Sequence, residues 1–159
     1  DWAVHIALAI DGVATVGAVA LPGVPATLCT EQPTAIPPLG PGPLRMVVSR
    51  TRPAAEAVAV AAKLGAELLP MGSAGAKAMA VVRGEADIYL HSGGQYEWDS
   101  CAPVAVALTA GLHASRIDGS PLAYNRENPY LPDLLICRKE QAPQVLRLIA
   151  ELTQPAPAD

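Results

Sequence analysis

The sequence predicts an α/β protein, and three observations carry that prediction. Between residues 44 and 152, short apolar runs typical of buried strands alternate with longer runs that carry helix start and stop signals. The first 21 residues instead show the period-two pattern of a β-hairpin. A segment rich in proline and glycine separates these two parts of the chain.

The hairpin is predicted over residues 1–21. Large apolar side chains occupy every second position of its first strand: Trp2, Val4, Ile6, Leu8 and Ile10. Asp11-Gly12 is a tight-turn signal, and residues 13–21 return as the second strand. Because an isolated hairpin is only marginally stable in water, we expect these strands to meet partners in another part of the protein.

A loop or linker is predicted over residues 22–43, which contain seven prolines. The α/β part then extends over residues 44–153. Its expected elements are strands 44–49, 66–71, 86–91 and 134–138, and helices 53–64, 73–83, 99–112 and 140–152. Gly65 and Gly84 supply the stop signals of the first two helices.

Two further segments complete the predicted order. Residues 113–117 and 122–124 flank a turn at Asp118-Gly119, as in a short hairpin. Residues 154–159 are rich in proline and alanine, so we expect a frayed tail.

Composition narrows the class of protein. The chain is 51% hydrophobic with a formal charge of −4, and no cluster of Lys and Arg indicates a nucleic-acid interface. Cys29, Cys101 and Cys137 are far apart, which argues against a zinc site or a disulfide framework and favours a reducing cytoplasm. We expect no transmembrane helix and no signal peptide.

The first candidate site is Glu97-Trp98-Asp99 at the start of a helix rich in small residues. A carboxylate on such a rigid element is a hard oxygen ligand suited to Mg²⁺. An Asp at a strand-to-helix junction can equally serve as a plain helix cap, so both interpretations stay open.

The second candidate site is the turn 71–77, with the sequence MGSAGAK. Its exposed backbone N–H groups at a helix start would bind an anion such as phosphate, and Lys77 would add positive charge. A close-packed turn that needs small residues is the competing explanation. The turn is neither a Walker motif nor a dinucleotide-binding fingerprint.

Two polar loops follow strands. The segment 91–96, HSGGQY, is a glycine-rich loop of the kind that contacts ligands, although a flexible surface loop has the same composition. Ser49-Arg50-Thr51-Arg52 follows the first strand of the α/β part, where the arginines could meet phosphate or remain solvated. His5 and His113 lack metal-ligand spacing and are expected to be structural.

These motifs together resemble the C-terminal signature of the inositol monophosphatase superfamily. The resemblance rests on residues 72–125, GSAGAKAMAVVRGEADIYLHSGGQYEWDSCAPVAVALTAGLHASRIDGSPLAYN, with its G-S-x-G-x-K turn, W-D block and D-G-x-P-L-x-Y segment. The sequence VVSRTRP is similar to the sulfur-assimilation branch, the 3'(2'),5'-bisphosphate nucleotidases, in its actinobacterial form.

The resemblance implies the C-terminal part of a layered αβαβα phosphatase fold whose members hold Mg²⁺ ions that activate a water. It implies that Asp99 is a metal ligand and catalytic residue. It also implies that Ser49, Gly72, Ser73, Ala74, Lys77 and Gln95 contact the substrate. The implied reaction removes the 3'-phosphate of 3'-phosphoadenosine-5'-phosphate and yields AMP, with inositol phosphates and fructose 1,6-bisphosphate as alternative substrates.

One departure from the family pattern is large. The G-E-E segment and the D-P-[IL]-D-G-T motif, which carry the other metal ligands, do not occur in this chain. We therefore expect this chain alone to be inactive and to require an N-terminal half as a partner. A non-catalytic phosphate- or nucleotide-binding module and a purely structural domain remain as alternatives from other classes. The resemblance also suggests a homodimer.

Overall fold

The computed structural model describes residues 1–154 as two β-sheets and four helices. The first sheet has the order β1-β2-β3, with β1 at Val4–Ile10, β2 at Val13–Leu21 and β3 at Ala26–Cys29. Both pairings are antiparallel. The hairpin prediction agrees with β1 and β2, whereas the prediction of an uninterrupted loop over 22–43 is wrong at β3. The short run Ala26–Cys29 finds a hydrogen-bonding partner in β2, and that tertiary pairing outweighs the flanking prolines.

The second sheet has the order β5-β4-β6-β8-β7. Its strands are β4 at Arg45–Ser49, β5 at Glu67–Met71, β6 at Ile88–His91, β7 at His113–Ser115 and β8 at Leu134–Cys137. The strands β5, β4 and β6 are parallel, while β8 pairs antiparallel with both β6 and β7. The carboxyl ends of β4, β5 and β6 therefore meet at one edge of the sheet.

The helices are α1 at Ala55–Leu64, α2 at Ala74–Val82, α3 at Glu97–Thr109 and α4 at Ala142–Thr153. Side chains that alternate along β4 enter two separate cores. Val47 packs with α2 and α3, whereas Met46 and Val48 pack with α1 and α4. Because α3 also lies against β1 and β2, the layers follow one another as first sheet, α2 with α3, second sheet, and α1 with α4. This arrangement confirms the predicted α/β class and matches four of the five expected layers.

Close approach between α3 and the first sheet depends on small residues. A β-carbon added to Gly17 in β2 would lie 2.8 Å from the carbonyl oxygen of Ala102 and 3.0 Å from the β-carbon of Ala105. The alanine-rich face of α3 thus packs directly on the backbone of the strand. The absence of larger side chains at this interface explains how a sequence without phenylalanine builds a dense core.

Two expectations about the connections are corrected. Residues 122–124 form no strand: β7 pairs with β8, and Tyr124 N donates instead to Gly12 O at 2.8 Å. The helix expected at 99–112 begins at Glu97, so Asp99 lies inside its first turn rather than at the junction. The expected tail lies outside the described residues beyond Gln154. No helix within residues 1–154 is both long and apolar enough to cross a bilayer.

Candidate functional site

The turn after β5 and the end of β4 lie side by side. The parallel register pairs Ser49 with Met71, and Arg50 N donates to Met71 O at 3.2 Å. The sequence-predicted residues Ser49, Gly72, Ser73, Ala74 and Lys77 are therefore brought together by strand pairing. A crevice outside the carboxyl ends of parallel strands is the usual ligand position in open α/β sheets.

Ser73 is the N-cap of α2 and adopts a left-handed backbone conformation, with φ of 63°. Its hydroxyl oxygen accepts a hydrogen bond from Ala76 N at 3.2 Å. Gly72 N donates to a carboxylate oxygen of Asp1 at 3.1 Å, and the same carboxylate pairs with Arg50. The Gly72 N–H and the Arg50 guanidinium thus share one acidic partner in this structure, and both are donors suited to an anion.

Lys77 is the second positive group of this turn, and its side chain is only 4% exposed. Its ammonium donates to Ser73 O at 3.1 Å and to Met71 O at 3.4 Å. It also lies 5.5 Å from the centroid of the Tyr89 ring, within the range of a cation–π contact. Burial, with a smaller contribution from the charge of Arg50, lowers the pKa of Lys77 to about 8.

Gln95 and Asp99 follow β6. This strand pairs with β4 on the side opposite to β5. Gln95 is buried, and its amide nitrogen donates to the Tyr89 hydroxyl at 2.9 Å. Its amide oxygen has no hydrogen-bond partner among the described residues. Tyr89 therefore connects Gln95 to Lys77. The sequence prediction missed Tyr89, since a single tyrosine within a strand carries no recognisable pattern.

Asp99 lies in the first turn of α3. One of its carboxylate oxygens accepts a hydrogen bond from Tyr96 N at 2.9 Å, and its own N–H donates to Tyr96 O at 3.0 Å. Asp99 thus stabilises the start of α3, as the cap interpretation expected. It does so from the first turn of the helix, whereas Tyr96 occupies the N-cap position. The remaining oxygen makes no hydrogen bond to any of the described residues, so the cap contact and a metal-ligand role are compatible.

His5 links this helix to the neighbouring turn. Its Nδ1–H donates to the carbonyl oxygen of Trp98 at 3.1 Å, and its ring lies against Gly75 of α2. The sequence prediction treated His5 as structural, and its contacts are packing contacts at the border of the site. Nothing in its sequence spacing indicated this position.

The described residues do not by themselves supply a complete Mg²⁺ site. No group of three or more His, Cys, Asp or Glu side chains within residues 1–154 could hold a metal ion. Mg²⁺ requires nearly octahedral oxygen ligation, and Asp99 offers one carboxylate. Within this part of the chain, Asp99 can therefore be one ligand among several but cannot form the site alone.

Comparison with known proteins relates this geometry to a family. The family model described as "Inositol monophosphatase family" matches residues 45–154. The 3'-phosphoadenosine 5'-phosphate phosphatase of Mycobacterium bovis is 52% identical, over 95% of this chain and 60% of that protein. The protein of the same name from Mycobacterium leprae is 51% identical, over 97% of this chain and 61% of its own length. The chain thus spans about 60% of the length of these curated relatives.

Solved structures agree on the fold. A bacterial member of the inositol monophosphatase family from Bacteroides thetaiotaomicron superposes with a TM-score of 0.73 at 23% identity, covering 86% of this chain and 62% of that one. An inositol monophosphatase from Zymomonas mobilis superposes with a TM-score of 0.74 at 18% identity, covering 93% of this chain and 62% of that one. The family model spans well over half of the sequence. The chain belongs to the inositol monophosphatase family.

Proposed function

We propose that this chain is the substrate-facing part of a Mg²⁺-dependent phosphomonoesterase that removes the 3'-phosphate of 3'-phosphoadenosine 5'-phosphate and yields AMP. One observation carries the proposal: Ser49, the turn 72–77 and Asp99 follow the carboxyl ends of the three parallel strands β4, β5 and β6. This edge presents backbone N–H groups, a buried ammonium and a carboxylate, which suit a phosphorylated ligand. The names of the mycobacterial relatives support the nucleotide over other phosphate esters.

In this proposal each group has a separate task. The N–H groups of the 72–74 turn and the Lys77 ammonium bind phosphate oxygens, and Ser49 borders the substrate. Asp99 would be one oxygen ligand of Mg²⁺, with further carboxylates supplied by a part of the enzyme outside this chain. When bound, Mg²⁺ would lower the pKa of a water and stabilise developing negative charge. Inositol phosphates and fructose 1,6-bisphosphate are the alternative substrates of the same class.

The first sheet supports the proposal of a larger enzyme. Its outer face exposes large apolar side chains: Trp2, Val4, Ile6, Leu8, Ile10, Val13 and Val16. The side chain of Ile6 is 73% exposed, and β1 is an unpaired edge strand. Contiguous apolar surface beside an open strand edge is typical of a covered interface. We propose that the remaining part of the enzyme covers this face.

The three free cysteines suit a reducing cytoplasm, which we propose as the location.

Replacement of Asp99 tests the proposed reaction. Asp99→Asn keeps an amide oxygen that can accept from Tyr96 N, so the helix start is preserved while the charged ligand is lost. We expect phosphate release by the full-length protein to fall at least about 100-fold, because a carboxylate ligand of the metal is removed. The assay measures Mg²⁺-dependent phosphate release from 3'-phosphoadenosine 5'-phosphate, and calorimetry measures Mg²⁺ binding separately.

Asp118→Asn is the matched control, because among residues 1–154 the Asp118 carboxylate bonds only within its own exposed turn, to Ser120. The 159-residue chain assayed alone is a second control and should release no phosphate. Wild-type activity in the Asp99→Asn protein would contradict the role of Asp99. Ligand binding without phosphate release by the full-length wild-type protein would instead favour the non-catalytic binding module.

A further inference from the structure

A surface segment, residues 124–131, is joined to the start of α3 by backbone and side-chain contacts. Its second half pairs with the backbone that leads into the helix. Glu97 N donates to Pro129 O at 2.8 Å, and Leu131 N donates to Gln95 O at 3.1 Å. The side chain of Glu97 contacts the first half of the segment. The first turn of α3 is therefore attached to a part of the chain that is distant in sequence.

The Glu97 carboxylate binds two consecutive backbone N–H groups of this segment. One of its oxygens accepts from Asn125 N at 2.7 Å, and the other accepts from Arg126 N at 3.0 Å. Asn125 has a left-handed backbone conformation, with φ of 60°. Consecutive N–H groups in such a turn point into a common concavity that binds anions. Here a carboxylate of the protein fills the concavity, and hydrogen bonds to a charged acceptor are stronger than those between neutral groups.

The segment has anchors of its own that do not involve Glu97. Tyr124 is only 3% exposed, its N–H donates to Gly12 O at 2.8 Å, and its hydroxyl shares a hydrogen bond with Ser100 Oγ at 3.0 Å. Leu131, at the other end of the segment, is also buried. Because both ends are held in the core, the segment can serve as a fixed support for the first turn of α3.

Glu97 and Asp99 project from different sides of that turn. Residues two apart on an α-helix are separated by about 200° around its axis, so their side chains do not face each other. Both carboxylate oxygens of Glu97 are bonded to backbone N–H groups, whereas one oxygen of Asp99 bonds to no described residue. Glu97 is therefore suited to fix the turn, while Asp99 keeps an oxygen for a ligand.

We propose that Glu97 is a positioning residue, which holds the first turn of α3 on the segment 124–131 and so keeps the Asp99 carboxylate in one orientation. The inference rests on the proposed function and deepens it, because it names a residue that orients the proposed metal ligand without touching the metal. Replacement of residues that orient metal ligands commonly lowers metal affinity or activity. The contribution of Glu97 is therefore to Mg²⁺ binding and to the chemical step, and not to substrate binding.

The test compares Glu97→Ala and Glu97→Gln with the wild type, each as the full-length protein. Calorimetry without substrate measures the Mg²⁺ affinity, and assays at saturating Mg²⁺ measure kcat and KM for 3'-phosphoadenosine 5'-phosphate. For Glu97→Ala we expect the Mg²⁺ affinity and kcat each to fall about 10-fold, with a change in KM of less than about 2-fold. Glu97→Gln should lie between the two proteins, because its amide oxygen can still accept from one of the two N–H groups.

Amide hydrogen exchange measures the attachment itself. In Glu97→Ala we expect faster exchange at Asn125 and Arg126 and unchanged exchange in β4 and β6, because only a local contact is lost. Glu127→Gln is the matched control, because Glu127 is an exposed carboxylate in the same segment. This control should agree with the wild type in Mg²⁺ affinity, in both kinetic constants and in hydrogen exchange.

Unchanged Mg²⁺ affinity and kcat in Glu97→Ala would overturn the positioning role. A rise in KM alone would also overturn it, because Glu97 would then contact the substrate. So would faster exchange throughout the chain, because Glu97 would then be needed for the fold as a whole. Weaker Mg²⁺ binding and local exchange, in a protein whose wild type releases no phosphate, would leave the positioning role standing and refute the proposed reaction. A wild type that binds no Mg²⁺ would contradict both.

Discussion

Lys77 is a cation buried without a carboxylate partner among the described residues. Its ammonium donates hydrogen bonds to two backbone carbonyl oxygens and lies over an aromatic ring. The carbonyl dipoles and the ring quadrupole stabilise the charge in place of a carboxylate. Removing an ammonium from water is costly, and this cost lowers its pKa to about 8. Buried groups with a shifted pKa are common at binding sites.

The lowered pKa of Lys77 makes the free energy of unfolding depend on pH. Because the pKa of Lys77 is lower in the folded than in the unfolded state, the folded protein is penalised most below pH 8. The penalty disappears as the pH rises from about 8 towards the unfolded value of 10.5. We expect Lys77→Met to raise the free energy of unfolding at pH 7 by about 1 to 3 kcal/mol. The same variant should lose phosphate binding.

Urea unfolding at pH 7 and at pH 10 measures this effect, and the gain should shrink at the higher pH. Lys63→Met is the matched control, because Lys63 is exposed and pairs with Glu151 at 3.4 Å on the surface. That variant should change stability by less than about 1 kcal/mol at either pH. A loss of stability in Lys77→Met at pH 7 would show that the ammonium is compensated within the fold.

At the scale of elements, α3 connects the two sheets. It packs on β1 and β2 with one face and contacts α2, while its first turn carries Asp99. Gly17 sets how closely α3 approaches the first sheet, because a β-carbon at this position would lie 2.8 Å from Ala102 O. The position of the Asp99 carboxylate therefore depends on a contact made by Ala102, three residues further along the same helix.

Gly17→Ala tests this packing. The added methyl group would lie 2.8 Å from a backbone oxygen and 3.1 Å from a backbone α-carbon of Ala102, so the helix or the strand must move. We expect a loss of about 1 to 3 kcal/mol of unfolding free energy, the usual cost of overpacking. Thermal unfolding measures the loss, and Gly23→Ala should be close to neutral because nothing lies within 4 Å of its position. Equal stability of the two variants would contradict the close-packed interface.

At the scale of the whole molecule, a buried ionic cluster joins segments distant in sequence. Asp87, at 1% exposure, accepts hydrogen bonds from Arg45 N at 2.8 Å and from Arg45 Nη2 at 3.1 Å. Arg138 Nε lies 3.5 Å from the same carboxylate, an ion-pair distance without hydrogen-bond geometry. Arg138 also donates to Pro37 O at 2.8 Å. The cluster thus fastens the proline-rich segment to β4 and β8.

We expect Asp87→Asn to be strongly destabilising, by about 3 kcal/mol or more, because it leaves Arg138 buried without its counter-charge. Chemical denaturation measures the change. Glu85→Gln is the matched control, since Glu85 pairs with Arg83 in a solvent-exposed ion pair at 2.8 Å and should cost at most about 1 kcal/mol. A small effect at Asp87 would mean that this cluster does not hold the segment in place.

Many of the elements could be predicted from the sequence, because their signals are local. The turn at Asp11-Gly12, the left-handed helix end at Gly65 and the alternation of strands with helices each depend on residues close in sequence. The strand β3 could not be predicted, because four residues among prolines acquire strand character only by pairing with β2. The pairing of β7 with β8, across 18 intervening residues, is equally a property of the folded chain.

The sequence by itself determined the fold class, the family resemblance and the motifs that contain Ser49, the turn 72–77, Gln95 and Asp99, because each is encoded in a short contiguous pattern. Only the tertiary structure decided that these motifs share one sheet edge, that Tyr89 joins Lys77 to Gln95, and that the Arg52 guanidinium lies beside Gly94. The physical reason is that strand order, burial and ion pairing arise between residues far apart in sequence. The cost of burying Lys77 depends on those distant contacts.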